Sequence, residues 1–535
     1  MLDRPSLART PWLIFASGAY AALLVVIRGR PSLKSDAGIF LSVAGRLLDG
    51  DRLYVDVFDN KDPLFYYSHA AALAIGDWRA PFLLDVVWLA IAAGSTLLLL
   101  RAIGASRLAA AVGFVCLPLL LTGAWYLAGY SMLAALSLAP LIAWLWIRGS
   151  FALAGGLLCV GLLFKVNLAL VLISAPVAFL LLGVPAGPAR SQAARAAAGF
   201  GAVLAAGAAI LLLRGELYGY LETVIDNVAY SRDVLVETGR RTGILGHVSA
   251  AANAVGSPWE RATVASAFLL AGVLAVRTLR ARPTGSLGRG DPAIRTLAAL
   301  FLCTTVATAA TLALTAVWPH HLQMLAYPGF LLIAFLAMVI GGSSPGLRKG
   351  VAACASAGLV AVLLGATAGY PAPRGSISTW LGSGRSDTAD LLARAAEDRF
   401  PRLKGTTFAH LGQNDEQAVG AFLDKEYVLA CPTIAQYVYS PELSGVSRCI
   451  RDEQPQLLLV TPSFRPRTRA PAEWNRLVTH GSHLLSEEYE PALTREAGNG
   501  LIEVWTLRDR REWRPPASRP QRPGLTPALS YAKRS

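Results

Sequence analysis

Residues 127–147 have the sequence LAGYSMLAALSLAPLIAWLWI, which contains no charged side chain. About 20 apolar residues let an α-helix cross the ~30 Å hydrocarbon layer of a bilayer. Similar runs occupy residues 81–100, 296–317 and 322–340. Over the whole chain, 54% of residues are hydrophobic and 16% are charged, whereas soluble proteins carry about 25% charged residues. The sequence therefore predicts an α-helical polytopic membrane protein.

The apolar runs predict about eleven transmembrane helices. We place them near residues 11–27, 81–100, 107–125, 127–147, 151–164, 168–184, 196–213, 262–279, 296–317, 322–341 and 350–369. With the N-terminus inside, the basic loops around Arg148, Arg190 and Lys349 then fall on the cytoplasmic side, as the positive-inside rule requires. This topology requires residues 63–75 not to cross, and a 13-residue apolar segment suits the membrane interface.

The chain divides by composition into three parts. We expect a transmembrane domain over residues 1–369, with its first external loop at 28–80, and an extracytoplasmic α/β domain over 370–508. A basic, proline-rich tail, expected to be disordered, follows at 509–535. The α/β prediction rests on separated β-rich runs, at residues 406–411, 427–431, 457–461 and 501–507, with helical patterns between them. If this domain lies outside the cytoplasm, Cys431 and Cys449 are its natural disulfide pair.

The net charge of +14 does not indicate a nucleic-acid partner. The basic residues lie in short loops between apolar runs and in the tail, where positive-inside bias and anionic lipid headgroups account for them. Membrane lipids are therefore the expected partners of these charges. The sequence also has no glycine-rich phosphate loop with a Walker lysine, which argues against an ATP-driven pump.

The first external loop concentrates the polar residues of the membrane part. Residues 34–67 have the sequence KSDAGIFLSVAGRLLDGDRLYVDVFDNKDPLFYY. Apolar residues at helical spacing predict an amphipathic helix that begins near Asp36, where a carboxylate also suits the helix dipole. Asp56, Asp59, Lys61 and Asp62 then lie within seven residues of one another. A solvated loop held by local ion pairs is the alternative interpretation of this cluster.

The order S-D-A-G-x-F, then L-L-D-G-x-x-x-Y-x-D-x-x-D-x-K-x-P, resembles the first external loop of the GT-C glycosyltransferases. The resemblance is stronger to the branch of protein mannosyltransferases and aminoarabinose transferases. Residues 155–170, GGLLCVGLLFKVNLAL, resemble that family's glycine-rich span ending in a lysine, and residues 318–328, WPHHLQMLAYP, resemble its histidine-containing corner. The chain departs from the pattern at Ala37, where many relatives have an acidic residue, and at Asp62, where many have proline.

The resemblance implies an inverting transferase that moves a sugar, arabinose or mannose, from a polyprenyl-phosphate donor to an extracytoplasmic cell-wall or lipid-linked glycan. Asp36 would be the catalytic base, a role worth roughly 10²–10⁴ in rate. The residues expected to bind the donor phosphate and sugar are Lys61, Lys165, His320, His321, Asp56, Asp59 and Tyr67. For Lys165 the alternative is a side chain that snorkels to the interface, and for the histidines an interfacial pair.

No metal ligand is assigned, although Asp36 with Asp56 or Asp59 would offer oxygen ligands to Mg²⁺ or Mn²⁺ as an alternative. Two other functions remain open from the sequence. One is a lipid-linked sugar flippase or transporter, and the other is an inactive GT-C-like scaffold that binds a glycan. Heavy use of Ala, Arg, Gly and Leu indicates a GC-rich bacterial genome and therefore the plasma membrane of a bacterium.

Overall fold

A computed structural model describes the chain except at its termini and several internal segments. The described residues are 10–28, 36–57, 61–76, 79–123, 126–225, 258–280, 291–314, 319–341, 393, 395–396, 406–411, 422, 427–431, 444–461, 472–497 and 500–508. The chain forms two compact units. The first comprises Met1–Arg30, Phe82–Ile210 and Arg240–Trp380, and the second comprises Pro31–Pro81, Leu211–Gly239 and Leu381–Ser535.

The described elements are mostly helical. The helices are α1 (Thr10–Arg28), α2 (Asp36–Leu48), α3 (Pro63–Ile75), α4 (Ala80–Ala102), α5 (Arg107–Leu121), α6 (Ser131–Ile147), α7 (Phe151–Phe164), α8 (Ala169–Leu182), α9 (Ala189–Leu213), α10 (Pro258–Arg280), α11 (Asp291–Leu314), α12 (Ala326–Gly341), α13 (Ser444–Glu453) and α14 (Ala472–Glu488). The strands are β1 (Thr407–Leu411), β2 (Val428–Leu429), β3 (Leu457–Val460), β4 (Tyr489–Ala497) and β5 (Gly500–Leu507). The helical membrane architecture with a small C-terminal sheet agrees with the predicted fold class.

Five segments within the described helices are long and apolar enough to cross a membrane, by length and composition. They are Pro11–Arg28, Ala80–Ala102, Ala189–Leu213, Pro292–Leu314 and His321–Val339. The helices α5, α6, α7 and α8 are apolar but shorter, with 14 to 17 residues each. The total of about eleven transmembrane helices therefore stays a prediction, and the helix expected at 350–369 lies outside the described residues.

Glycines allow two helices of the first unit to approach closely. A Cβ atom added to Gly155 of α7 would lie 1.9 Å from the carbonyl oxygen of Ala196, and one added to Gly199 of α9 would lie 1.8 Å from that of Ala152. Membrane helices lack a hydrophobic driving force between them, so small residues that admit close backbone packing hold such pairs together. The close packing of α7 against α9 therefore requires glycine at positions 155 and 199.

The C-terminal part of the second unit contains a mixed five-stranded sheet with the order β2-β1-β3-β5-β4. The strands β2, β1 and β3 are parallel, whereas β5 is antiparallel to β3 and to β4. Side chains alternate between two apolar clusters, one containing Phe408 and Leu459 and the other Ala409 and Leu458. Because both faces are covered, β3 is the continuous apolar run LLLV. The predicted α/β character of this part is confirmed.

A disulfide joins the sheet to a helix of the same unit. Cys431 follows β2 by two residues, Cys449 lies in α13, and their Cα atoms are 5.9 Å apart. This is the pairing that the sequence analysis anticipated. The structure does not test the division of the chain at residues 369 and 508, so those domain boundaries stay a prediction.

Replacing Gly199 by alanine should destabilise the α7–α9 pair, because the new Cβ atom meets backbone that cannot move aside. We expect a loss of about 1–3 kcal/mol, the usual cost of overpacking. Thermal unfolding in lipid nanodiscs would measure it. The matched control is Gly201→Ala on the same helix, where a Cβ atom meets nothing within 4 Å. Equal melting temperatures for the two variants would contradict the close contact.

Candidate functional site

The helix α2 begins at Asp36, the residue expected to be the catalytic base. Residues 37–44 are all buried, including Ser42 at 8% exposure. The polar face of the predicted amphipathic helix is therefore confined to its end, near Arg46 and Asp49. The helix α3 packs against α2, through Phe40 and Phe65 among others.

Lys61 lies against the beginning of α2. Its Nζ atom is 5.3 Å from the centroid of the Phe40 ring, and Phe40 is about one helical turn from Asp36. A cation over an aromatic face is attracted by the ring quadrupole. The hydroxyl of Tyr54 donates to the Lys61 carbonyl oxygen at 2.7 Å and fixes the backbone there. The lysine ammonium group is thus held at the Phe40 ring of α2, and its backbone is held by Tyr54.

The helix α3 has the bounds that the sequence predicted, Pro63–Ile75. Asp62 occupies the N-cap position and Pro63 the first helical position, where a missing N–H costs nothing. The Phe40 ring meets Phe65 edge-on with centroids 5.0 Å apart and lies 6.2 Å from Tyr66. At 13 residues, α3 is only about 20 Å long. Phe40 of α2 and Phe65 and Tyr66 of α3 thus form an aromatic cluster between the two helices.

A fully buried carboxylate, Glu216, organises the polar residues of this loop. Glu216 has 0% exposure and follows α9 by three residues. Its Oε1 atom accepts from the Leu53 backbone N–H at 3.0 Å and from Arg214 Nε at 2.8 Å. Its Oε2 atom accepts from the hydroxyl of Tyr67. A buried charge is tolerated only when it is paired and hydrogen-bonded, and here donors from three chain segments meet that requirement.

Further guanidinium groups extend the network. Arg214 also donates from Nη2 to the Asp51 carbonyl oxygen at 3.2 Å. The buried Asp51 carboxylate pairs with Arg46 Nε of α2 at 2.7 Å. A second, more exposed pair joins Arg52 to Asp56 at 2.9 Å. The alternating charges connect α2, the loop after it and the residues after α9.

Tyr67 is neutral in this network. Burial raises the pKa of its hydroxyl, and the hydrogen bond to Glu216 raises the pKa further. The guanidinium of Arg214, whose carbon lies 5.4 Å from the Tyr67 ring centroid, opposes this with a smaller effect. The hydroxyl therefore remains a hydrogen-bond donor at physiological pH. Tyr67 was expected to bind the donor sugar; the structure shows it bonded to Glu216.

Two tyrosines, Tyr54 and Tyr220, contact each other at the other side of the loop. The Tyr220 hydroxyl, on the helical residues 217–225, donates to Asp62 Oδ1 at 3.0 Å. The Tyr54 and Tyr220 rings lie 5.4 Å apart. Tyr54 has a φ of 65°, a left-handed conformation that is uncommon for a residue of this size. The segment after α9 thus contacts the loop before its acidic residues, at Leu53 and Tyr54, and after them, at Asp62 and Tyr67.

The first unit carries the remaining expected site residues. Lys165 interrupts two apolar helices: α7 ends before it, its backbone is extended at φ −161°, and a 3-10 turn, Val166–Leu168, leads into α8. A second 3-10 turn, Pro319–Leu325, contains His320 and His321 and precedes α12. The His321 side chain is buried at 7% exposure.

Of the three carboxylates suggested as ligands of a divalent cation, the structure describes the side chain of Asp56. Asp56, one of the suggested ligands, receives three hydrogen bonds from Arg52, from its backbone N–H, Nε and Nη2. A carboxylate held in this way is a poor metal ligand. Within the described part of the chain, no group of three His, Cys, Asp or Glu residues could hold a metal. The side chain of Asp36 and the whole of Asp59 lie outside that part.

The structure therefore places Lys61, Asp56 and Tyr67 in the second unit, and Lys165 and His321 in the first. The sequence analysis did not identify Glu216 and Arg214. The one available signal was their position, since a charged pair directly after an apolar run is costly unless it is solvated or paired.

Comparisons with known proteins give limited information. No protein-family model matches the chain, and no curated protein is similar to it at a significant level. Among solved structures, the chain is similar to arabinofuranosyltransferase AftD from Mycobacteria, with 14% identity, 95% of this chain and 40% of that chain covered, and a TM-score of 0.40. For a mutant form of AftD the identity is 15%, the coverages are 94% and 42%, and the TM-score is 0.43. The chain spans about two fifths of the length of AftD, and a likeness at this level carries no argument about activity.

Removing the Glu216 carboxylate should unfold the loop locally. The Glu216→Ala variant leaves Arg214 and the Leu53 N–H without their buried partner, so we expect a loss of about 3 kcal/mol. Thermal unfolding in nanodiscs and protection of the loop from proteolysis would report it. Glu222→Ala, at an exposed position on the same helical segment, is the control. If the Glu216→Ala protein were as stable as this control, the hydrogen bonds of Glu216 would not stabilise the loop.

Proposed function

We propose that the chain is an inverting glycosyltransferase of the GT-C type. It transfers a sugar, arabinose or mannose, from a polyprenyl-phosphate donor to a glycan acceptor outside the cytoplasm of a bacterium. The proposal rests on the sequence resemblance of the first external loop and on one structural observation. That observation is the position of Lys61, whose ammonium group lies 5.3 Å from the ring centroid of Phe40, four residues into the helix that begins at Asp36.

This arrangement suits the two charge changes of the reaction. An acceptor hydroxyl loses its proton to Asp36 while its oxygen attacks the anomeric carbon. The bond from that carbon to the phosphate oxygen breaks on the opposite face, and the electron pair leaves with the polyprenyl phosphate. A fixed cation stabilises the negative charge that grows on the leaving group. Lys61 supplies this charge in our proposal, and the sequence resemblance assigns a role in binding the donor to Lys165, His320 and His321.

The buried Glu216 network supports the proposal by holding the loop rigid. Catalytic groups must be fixed within a fraction of an ångström of productive geometry, which takes a well-packed supporting layer. Glu216 connects Leu53 and Tyr67 on either side of the acidic cluster, and Tyr220 holds Asp62 directly beside Lys61. In this function Asp56 orients the loop through Arg52.

A transporter or flippase function is weakened by the partners of Asp85, an acidic residue inside an apolar helix. Asp85 of α4 is 2% exposed and accepts from the Tyr126 hydroxyl at 2.6 Å and from the Gly129 N–H at 2.9 Å. These bonds fix the loop between α5 and α6. An acidic residue on a transport pathway would face a cavity or a second ionisable group. An inactive scaffold that binds a glycan remains the second candidate function. Only a measurement of sugar transfer distinguishes it from the transferase.

The decisive experiment compares Asp36→Asn with Asp49→Asn in lipid nanodiscs. Both variants remove one carboxylate charge, but Asp49 lies just beyond the other end of α2. Each protein receives radiolabelled polyprenyl-phosphate arabinose and mannose, with a bacterial membrane extract as the acceptor source. We expect the Asp36 variant to bind donor and to lose at least about 10²-fold in transfer rate, the lower range for a general base.

The Asp49 variant should keep wild-type activity. If wild type binds a donor but transfers no sugar, the scaffold function is favoured. Equal transfer by both variants would remove Asp36 from the mechanism.

We also place the C-terminal domain outside the cytoplasm. The Cys431–Cys449 disulfide supports this placement, since disulfides persist in oxidising compartments. We expect His483→Cys, on an exposed position of α14, to react with a membrane-impermeant maleimide in spheroplasts. Arg148→Cys, exposed after α6 on the predicted cytoplasmic side, should react only after permeabilisation. The reverse pattern would invert the topology.

A further inference from the structure

Arg46, in the last turn of α2, donates hydrogen bonds to groups outside its own helix. Its Nε atom donates to Asp51 Oδ2 at 2.7 Å, Nη2 to the Asp56 carbonyl oxygen at 3.4 Å, and Nη1 to the Ala430 carbonyl oxygen at 3.5 Å. A guanidinium presents its donors in a fixed planar fork, so one arginine relates the positions of several acceptors. Arg46 therefore joins α2 and the loop after it to the C-terminal part of the same unit.

The Ala430 carbonyl group belongs to a firmly held part of the C-terminal sheet. Ala430 directly follows β2, and its N–H donates to the Phe408 carbonyl oxygen of β1 at 2.8 Å. The next residue, Cys431, is buried and forms the disulfide to Cys449 of α13, whose sulfur lies 3.9 Å from the Ala430 carbonyl oxygen. The sheet thus fixes Ala430 on one side and the disulfide fixes it on the other.

The loop that Arg46 contacts leads to the candidate catalytic residues. Asp56 is held at two places, since its carbonyl oxygen accepts from Arg46 and its carboxylate accepts from Arg52. Lys61 follows in the chain, and Asp36 begins the helix that ends near Arg46. Arg46 can therefore affect both candidate residues through the backbone that carries them.

We propose that Arg46 is a positioning residue through which the disulfide-bonded end of β2 keeps the loop after α2 in place. The inference rests on the proposed function, since it assigns part of the C-terminal domain to the support of that site. Glu216 holds this loop from the residues after α9, and Arg46 holds it from the C-terminal sheet. The sheet has its own apolar clusters on both faces. Loss of the Arg46 contacts should therefore loosen the loop and leave the sheet folded.

The test compares Arg46→Lys with Arg448→Lys in full-length protein in nanodiscs. Both variants keep the positive charge, but a lysine ammonium lacks the fork that reaches a carboxylate and two carbonyl oxygens together. Arg448 is an exposed residue of α13 beside Cys449, so it controls for a change near the disulfide. Hydrogen exchange measured by mass spectrometry reports local opening. The informative peptides cover residues 49–57, where backbone N–H groups are hydrogen-bonded.

We expect Arg46→Lys to speed exchange in residues 49–57 at least about tenfold, the effect of losing one charge-assisted hydrogen bond. Arg448→Lys should exchange at the wild-type rate there. Peptides from β3 and β5 should exchange at the wild-type rate in both variants, because the pairing of these strands is untouched. Removing the disulfide, by Cys431→Ala with Cys449→Ala, should speed exchange in the same loop residues.

Combining the changes distinguishes a shared contact from two independent ones. If the disulfide acts on the loop through Arg46, adding Arg46→Lys to the disulfide-free protein should produce little further increase in exchange. Independent effects would multiply instead. If the disulfide-free protein fails to fold, as fast exchange in β3 would reveal, the comparison of Arg46→Lys with Arg448→Lys still decides.

Turnover experiments provide a second measurement. Misplacing a reacting group by about 1 Å can cost roughly 10²-fold in rate. We therefore expect Arg46→Lys to lower kcat at saturating donor at least about tenfold, and to change donor binding less than it changes kcat. A change that only reduced the amount of folded protein would not alter this ratio between folded variants.

Two results would overturn the inference: wild-type loop exchange in a folded Arg46→Lys protein, or effects of the lysine and of disulfide removal that multiply. The proposed function fails differently. If loop exchange depends on Arg46 and on the disulfide but wild type transfers no sugar, the positioning contact stands and the transferase function does not. If wild type transfers sugar while Arg46→Lys keeps its loop exchange and its kcat, the transferase function stands and the positioning contact does not.

Discussion

The buried charge of Glu216 constrains the second unit more than any other single interaction. A carboxylate with 0% exposure is costly unless its oxygens are satisfied, and the donors come from Leu53, Tyr67 and Arg214. No one segment can satisfy it alone. The loop after α2, the helix α3 and the residues after α9 must therefore adopt their positions together. This electrostatic requirement holds the loop in place, together with the aromatic contacts of Phe40.

The sequence predicted those elements whose signal is local. Pro63 at the first helical position and Gly76 after the last define α3 at both ends, and the apolar runs define the long helices. β3 was recognisable because a strand covered on both faces is wholly apolar. β4 was missed because its polar residues, Tyr489–Ala497, do not differ in composition from a loop. The pairing of β4 with β5 holds these residues in a strand conformation instead.

The candidate site was predictable only in part, for a related reason. Asp36, Asp56 and Lys61 lie close in sequence, so their clustering is visible in the loop itself. Tyr67 and its partner Glu216 are separated by 149 positions, and no local pattern indicates such a contact. The burial of Ser42 is equally non-local, because it depends on what packs against α2. A sequence can thus identify reactive residues while leaving unidentified the residues that hold them.

The turns between the apolar helices follow the same requirement that buried polar groups find partners. Lys165 lies in the turn between α7 and α8, and His321 lies in the turn before α12, where its side chain is 7% exposed. The turn is also tied down: Gln323 donates from Nε2 to the Leu121 carbonyl oxygen at 2.6 Å. In the function proposed above, the phosphate of the lipid-linked sugar is the group whose charge is complementary to this lysine and histidine.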